Sequence, residues 1–227
     1  MKVLVIAAHP DDEVLGCGAT IAKHISCGDE VHVMIMAEGL TSRGDQSVTS
    51  NKEELSVLVR AAHKANEILG VASLSMYGLP DNRLDSMDRL DVIKLIEQKI
   101  NKYKPECVYA HHAGDVNIDH RVIHDAVNTA CRPVPGHSVR SLLYFEIASS
   151  TEWQIAGAAP AFLPTWFVDV SEFLGVKVEA LHAYEMEMRD WPHPRSYQAV
   201  EYLARWRGAT IGVEAAEAFV LGRMIIA

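Results

Sequence analysis

Val3-Leu4-Val5-Ile6-Ala7-Ala8-His9-Pro10-Asp11-Asp12-Glu13 is the stretch whose reading decides the fold. Its first half is short, β-branched and free of polar side chains, as suits a strand buried on both faces of a parallel sheet. Its second half puts an imidazole and three carboxylates where that strand ends. A sheet core has no use for such groups there, whereas open α/β sheets gather their ligands at the carboxyl ends of strands. One acidic residue would be enough to complement the start of a following helix, and an adjacent histidine adds nothing to that role. The sequence therefore points to a site. His9 and Asp12 can converge on one divalent metal while Asp11 and Glu13 point elsewhere. A mixed nitrogen and oxygen donor set suits Zn2+ best, and other divalent transition metals also fit.

Working outward, strand and helix signals alternate through the first two-thirds of the 227 residues. Val14 to Cys27 reads as a helix, Glu30 to Met36 as a strand, and Glu38 to Lys52 as a polar loop. Glu53 to Leu69 carries apolar residues at helical spacing and stops at Gly70. Ala72 to Met76 is a short strand, Gly78 to Asp85 a turn-rich loop, Leu90 to Lys102 a helix, Cys107 to Ala110 a strand, and Asp119 to Cys131 a helix. The last third is less regular, with strands at Ser141 to Glu146 and Thr165 to Val170, and helices near Glu172 to Met188 and Tyr197 to Arg207. Strands separated by helices imply right-handed crossovers, and so an α/β three-layer sandwich with a mainly parallel, Rossmann-like sheet. No repeat, low-complexity tract or linker interrupts the chain, so residues 1–227 are read as one domain.

Composition narrows the partners. A hydrophobic fraction of 49% and a charged fraction of 22% are ordinary for a globular protein. The formal charge of −9, with no Lys/Arg cluster, argues against a nucleic-acid partner. Cys17, Cys27, Cys107 and Cys131 form no C-x-x-C pair, which fits reduced thiols in the cytoplasm. The apolar start is too short for a secretory signal, and Ile155 to Val168 is too short and too proline-interrupted to span a bilayer. A soluble, cytoplasmic protein without a membrane partner is expected, and assembly into a homo-oligomer is left open.

A second polar junction follows the Cys107 to Ala110 strand: His111-His112-Ala113-Gly114-Asp115-Val116-Asn117-Ile118-Asp119-His120. Asp119 is placed to cap the next helix and His120 to lie in its first turn. If the two strands are neighbours, His120 completes a His/Asp/His set with His9 and Asp12. Three protein ligands and an open position characterise a catalytic zinc. His124 shares the helical face of His120 and competes with it for the ligand role, although H-x-x-x-H alone is a weak pattern. His111 and His112 suit the cleft wall as well as they suit a metal.

With these residues assembled, the chain resembles the PIG-L/LmbE-like deacetylases, metal-dependent enzymes that remove N-acetyl groups from amino sugars. The resemblance runs through Ala8 to Glu13, Arg60 with Ile68 to Val71, Gly78 to Asn82, Asp115 to Arg121, Ser149 to Trp153, His193 to Ser196, Arg207-Gly208 and Ala216 to Phe219. It implies His9, Asp12 and His120 as metal ligands, Asp11 as general base, and Asp119 as a group that orients its neighbours. Arg60 and Asp81 fall where such enzymes recognise the sugar, and Asn82 beside them would meet its hydroxyls. The substrate implied is an N-acetylated amino sugar or its conjugate, split into acetate and a free amine. Asn117 departs from several relatives, which carry a histidine there to polarise the carbonyl. An amide can donate a hydrogen bond to an oxyanion but cannot deliver a proton. His63 stands where a glutamate is expected after Arg60, which leaves the pairing of that arginine open. Among other classes, a nucleotide-binding module is disfavoured because carboxylates replace the glycine-rich turn. A non-catalytic, metal-dependent glycan-binding protein would have no use for Asp11.

Overall fold

The computed structural model describes residues 1–39 and 48–226, the side chains of 48–52 excepted. Seven strands form one sheet: β1 (Lys2–Ala7), β2 (Glu30–Ala37), β3 (Ser73–Leu79), β4 (Cys107–His111), β5 (Ser141–Phe145), β6 (Trp166–Asp169) and β7 (Ala216–Met224). Their spatial order is β3-β2-β1-β4-β5-β7-β6. The five strands from β3 to β5 are parallel, while β7 runs antiparallel to both β5 and β6. Among the described residues six α-helices surround the sheet: α1 (Asp12–Ser26), α2 (Val48–Leu69), α3 (Arg89–Tyr103), α4 (Ile118–Ala130), α5 (Leu174–Ala183) and α6 (Tyr197–Ala209).

The alternation of side chains along β1 builds two cores. Val3, Val5 and Ala7 join apolar residues of α1, α2 and α5 on one face. Leu4, Ile6 and Ala8 join those of α3 and α4 on the other. Burial on both sides is why β1 is apolar without interruption. From β1 the chain winds outward through β2 and β3, then crosses back to pair β4 with β1, with Val3 opposite Cys107 and Val5 opposite Tyr109. The carboxyl ends of β1 and β4 therefore flank the point where the winding reverses, the crevice in which such sheets bind ligands.

The structure corrects several expected boundaries. The polar segment expected from Glu38 to Lys52 lies outside the described residues over 40–47, and α2 already begins at Val48. Adding a turn in front of an existing helix needs no new nucleus, so Ser and Thr are tolerated there. β3 extends to Leu79, absorbing the start of the expected loop. The helix expected over Glu172 to Met188 is a shorter α5 followed by a 3-10 turn, Glu185–Glu187. β7 was not anticipated: its buried start, Ala216 to Phe219, contains Glu217, which hides the pattern of a core strand. That carboxylate accepts from the backbone N–H groups of Ala19 and Thr20 at 3.2 and 2.7 Å and from Lys177 Nζ at 2.6 Å. It serves donors freed where α1 kinks at Cys17, whose φ is −151°. No helix among the described residues is long and apolar enough to cross a membrane. The four cysteines are free thiols.

Candidate metal centre and active-site cleft

The β1–α1 junction turns within a few residues, and Asp11 bears the strain of that turn. Its φ of 102° and ψ of −29° put a non-glycine residue in left-handed territory. Such strain persists only where the surroundings over-determine it, commonly at functional sites. The turn sends consecutive carboxylates in different directions. Asp12 Oδ2 accepts from the backbone N–H of His9 at 2.9 Å and lies 3.2 Å from His9 Nδ1. Glu13 turns into the core, where Oε1 accepts from Tyr184 Oη at 2.7 Å and Asn66 Nδ2 at 2.9 Å, and Oε2 accepts from Asp11 N at 3.1 Å. Burial pushes the Glu13 carboxyl up to about 7. Both its oxygens are engaged, so Glu13 supports the turn of Asp11 and does not face the cleft.

The second junction brings His120 to the same point. Its Nε2 lies 3.2 Å from Asp12 Oδ2 and 3.4 Å from His9 Nδ1. Three potential ligand atoms thus stand 3.2 to 3.4 Å apart. Donors held ~2.0–2.1 Å from a tetrahedral zinc are separated by about 3.3 Å, so the set has the right size. Asp12 is fully buried and its Oδ1 has no hydrogen-bond partner among the described residues. Burial alone would lower the His120 imidazole, but the Asp12 and Asp115 carboxylates overcome it and lift it to about 9. Burial would likewise raise Asp12, yet His120 and His9 hold it well below the usual carboxylate range. The pocket favours positive charge between its rings, and the residues present fit a divalent metal.

The outer atoms of each ring are held as a ligand requires. His9 Nε2 lies 3.1 Å from both Asp81 Oδ1 and Asp119 Oδ2. Asp119 is itself fixed, accepting from Asn82 N at 2.7 Å and Leu84 N at 2.9 Å. His120 Nδ1 lies 3.1 Å from Asp115 Oδ2. Asp115 also accepts from Thr151 Oγ1 at 2.7 Å, from Asn117 N at 2.8 Å and from Ser150 Oγ. Burial would raise Asp115, but His120, Ser150 and Thr151 bring it to about 2.

His9, Pro10, Asp11, Gly39, Asp81, Asn82, Asn117 and Arg195 line a polar cleft beside the cluster. Asp11 is only 1% exposed, and its Oδ2 receives Arg195 Nη1 at 2.7 Å while its Oδ1 is unpartnered among the described residues. Burial pushes its carboxyl well above the ordinary range against the pull of Arg195.

Most expected site residues converge here, with corrections. Asn117, not Asp119, caps α4: its Oδ1 accepts from Asp119 N at 2.8 Å. That leaves the amide Nδ2 as its donor toward the cleft. Asp81 is turned to His9 as well as to the cleft. Arg60 is not brought to this cluster: it is exposed on α2 with Nη1 on Ser56 Oγ at 3.1 Å. His124 bonds the carbonyl of His111 at 3.0 Å and Asn128, and is not part of the His9, Asp12 and His120 group. His111 stacks on His120 with ring centroids 3.9 Å apart, its Nε2 accepting from Ala8 N at 2.8 Å. His112 donates to the Pro160 carbonyl at 3.0 Å. Glu146, at the end of the strand expected over Ser141 to Glu146, is held by Arg207 through two 2.8 Å bonds. Sequence reasoning gave no role to Asp115 or Arg195. The signal for Asp115 was a carboxylate two residues ahead of a helix cap, and Arg195 had none beyond its place in the His193 to Ser196 segment.

Comparison with known proteins agrees with this architecture. Residues 4–131, more than half the chain, match the PIG-L family, described as GlcNAc-PI de-N-acetylase. The chain belongs to the PIG-L family. The uncharacterized deacetylase YaiS of Escherichia coli K12 is 29% identical over 189 residues, covering 81% of this chain and 90% of YaiS. The N,N'-diacetylchitobiose deacetylase of Pyrococcus horikoshii, solved with its inhibitor MPG, superposes with a TM-score of 0.80 at 22% identity, over 98% of this chain and 84% of that one. GalB, the 4-carboxy-2-hydroxymuconate hydratase of Pseudomonas putida KT2440, superposes with a TM-score of 0.78 at 19% identity, over 100% of this chain and 98% of that one. A hydratase on the same scaffold means that the fold alone does not name the reaction, and the site has to.

Proposed function

We propose that this PIG-L family member is a zinc-dependent N-deacetylase that releases acetate from an N-acetylated amino sugar or its conjugate. The observation that carries the reading is the meeting of His9 Nδ1, His120 Nε2 and Asp12 Oδ2 beside a polar cleft that Asp11 lines. His9, Asp12 and His120 would hold the ion. When bound, such an ion polarises an amide carbonyl and makes water acidic enough to attack near pH 7, about where a zinc-bound water ionises.

The protein groups do the rest. Asp11 accepts the proton of the attacking water and returns it to the departing amine, base and acid in turn. Asn117 Nδ2 donates to the carbonyl oxygen as negative charge develops there. Asp119 and Asp115 hold the His9 and His120 rings in the tautomers that direct Nδ1 and Nε2 inward. Asp81 and Asn82 meet sugar hydroxyls along the cleft wall. The deacetylase names among the relatives support this chemistry, and a polar cleft suits a sugar better than an apolar ligand.

An amine-release screen over N-acetylated sugars and sugar conjugates tests the proposal, run on zinc-loaded and chelated protein. Release that appears with zinc and stops on chelation is expected. Metal-dependent sugar binding without release would leave a glycan-binding protein, and the absence of both would sink the reading.

A further inference from the structure

Arg195 comes to the cleft from a segment remote from both junctions, between the 3-10 turn at Glu185–Glu187 and α6. Its guanidinium is held from several sides. Nη1 donates to Asp11 Oδ2 at 2.7 Å, Nε donates to Ser149 Oγ at 2.8 Å, and the buried Glu187 lies 3.7 Å from Nη1. Ser149 has a φ of 66°, so the hydroxyl that anchors Nε is itself on strained backbone. The arginine's own N–H donates to His193 Nδ1 at 3.1 Å, and its carbonyl accepts from Arg189 N at 3.3 Å. A side chain tethered at Nε and Nη1, on a backbone bonded at both N and O, has little freedom.

The consequence falls on Asp11. Arg195 takes one carboxylate oxygen, Oδ2, and the other, Oδ1, has no partner among the described residues. Asp11 already sits at a φ of 102°, a conformation that relaxes unless something opposes it. Glu13 receives its backbone N–H and Arg195 holds its side chain, so the residue is pinned at both ends.

We propose that Arg195 is a positioning residue that, with Ser149 as its anchor, clamps Asp11 Oδ2 and so aims Oδ1 at the attacking water. The inference rests on the reading of Asp11 as general base. A planar guanidinium can span Ser149 and Asp11 at once, which a lysine ammonium on the same stem cannot.

Steady-state kinetics on zinc-loaded Arg195→Ala, Arg195→Lys, Ser149→Ala, Asp11→Asn and the Arg195→Ala/Asp11→Asn double variant test it. Arg195→Ala should lose about 10²-fold in kcat, the cost of misplacing a reacting group by roughly 1 Å, with KM and zinc content held. Millimolar guanidinium should restore part of that kcat, and Arg195→Lys should recover little. The double variant should be no slower than Asp11→Asn alone, because Arg195 acts only through Asp11. Ser149→Ala should lower kcat less than Arg195→Ala, and it carries the test if the arginine variants fail to fold. Wild-type kcat in Arg195→Ala or in Ser149→Ala, a loss confined to KM, or a loss that adds to that of Asp11→Asn would each overturn the clamp. Wild-type turnover in Asp11→Asn would overturn the base reading itself, and the clamp with it. A slow Asp11→Asn beside a fast Arg195→Ala removes the clamp alone.

Discussion

The two strand-to-helix junctions face each other across the same cleft, yet they are built on opposite plans. At β1–α1 the cap residue, Asp11, makes no side-chain cap bond and sits in strained backbone, and both Asp11 and Asp12 leave a buried oxygen unpaired. At β4–α4 the cap residue, Asn117, has ordinary extended backbone at φ −70° and ψ 128° and caps in the usual way. Asp115 and Asp119 there are saturated with donors. Unpaired buried polar atoms cost free energy that a satisfied network avoids. On the proposed function, the first junction would keep atoms ready for a metal and a substrate, and the second would hold those atoms still. His120 crosses between the plans, leaving the satisfied network to place its Nε2 3.2 Å from Asp12 Oδ2 in the unsatisfied one.

Breaking that crossing should have the largest effect. His120→Ala is expected to cut zinc affinity by more than the ~10–100-fold that losing an orienting partner costs, and to abolish turnover at trace zinc. His124→Ala, one turn further along α4, should leave metal content nearly intact, since that ring bonds the His111 carbonyl and Asn128. Elemental analysis of the two purified variants decides. Full occupancy in His120→Ala with loss in His124→Ala would overturn the ligand set.

The same contrast explains what the sequence made legible. The first junction is written in consecutive residues, so a buried strand ending in His9 to Glu13 pointed both to the sheet and to two of the three proposed ligands, His9 and Asp12. His120 followed once two strands of one sheet could be neighbours, and the pairing of β1 with β4 makes them so. The supporting groups are scattered: Ser150 and Thr151 reach Asp115 from the loop after β5, and Arg195 reaches Asp11 from 184 residues away. Nothing in their local patterns points at a partner, because Ser-Ser-Thr before Glu152 also reads as a capping box, and Glu152 does accept from Ser149 and Ser150 N. Arg60, which the resemblance implies as a sugar contact, is exposed on α2 with its Nη1 on Ser56 Oγ, and its local sequence does not tell a substrate contact from a solvated surface arginine. β7 was illegible because its strand carries a buried carboxylate that answers a break in a distant helix.

Asn117 sharpens the comparison, for it belongs to the satisfied junction yet lines the cleft. Its Oδ1 is committed to the cap and only Nδ2 is left to donate. Asn117→Ala should lower kcat by about 10²-fold, the worth of one oxyanion donor, with KM little changed because that charge exists only in the transition state. Asn117→Asp preserves the cap but removes the donor, so it should keep the thermal midpoint near wild type while kcat still falls. If Asn117→Ala instead raises KM at constant kcat, the amide binds the sugar.

The smallest effect should come from Asp115, the hub of the satisfied network. Asp115→Asn keeps an oxygen for Thr151 or the Asn117 N–H but removes the charge that faces His120 Nδ1. The ring then loses its orientation and part of its basicity, and zinc affinity should drop by ~10–100-fold. Turnover should return toward wild type once zinc is saturating, because Asp115 touches neither the substrate nor the reacting water in this arrangement. Titrating zinc against activity separates this variant from Asn117→Ala, whose deficit zinc cannot repair. An Asp115→Asn enzyme that stays slow at full occupancy would mean that the second junction does more than hold atoms still, and that the division between the two plans is wrong.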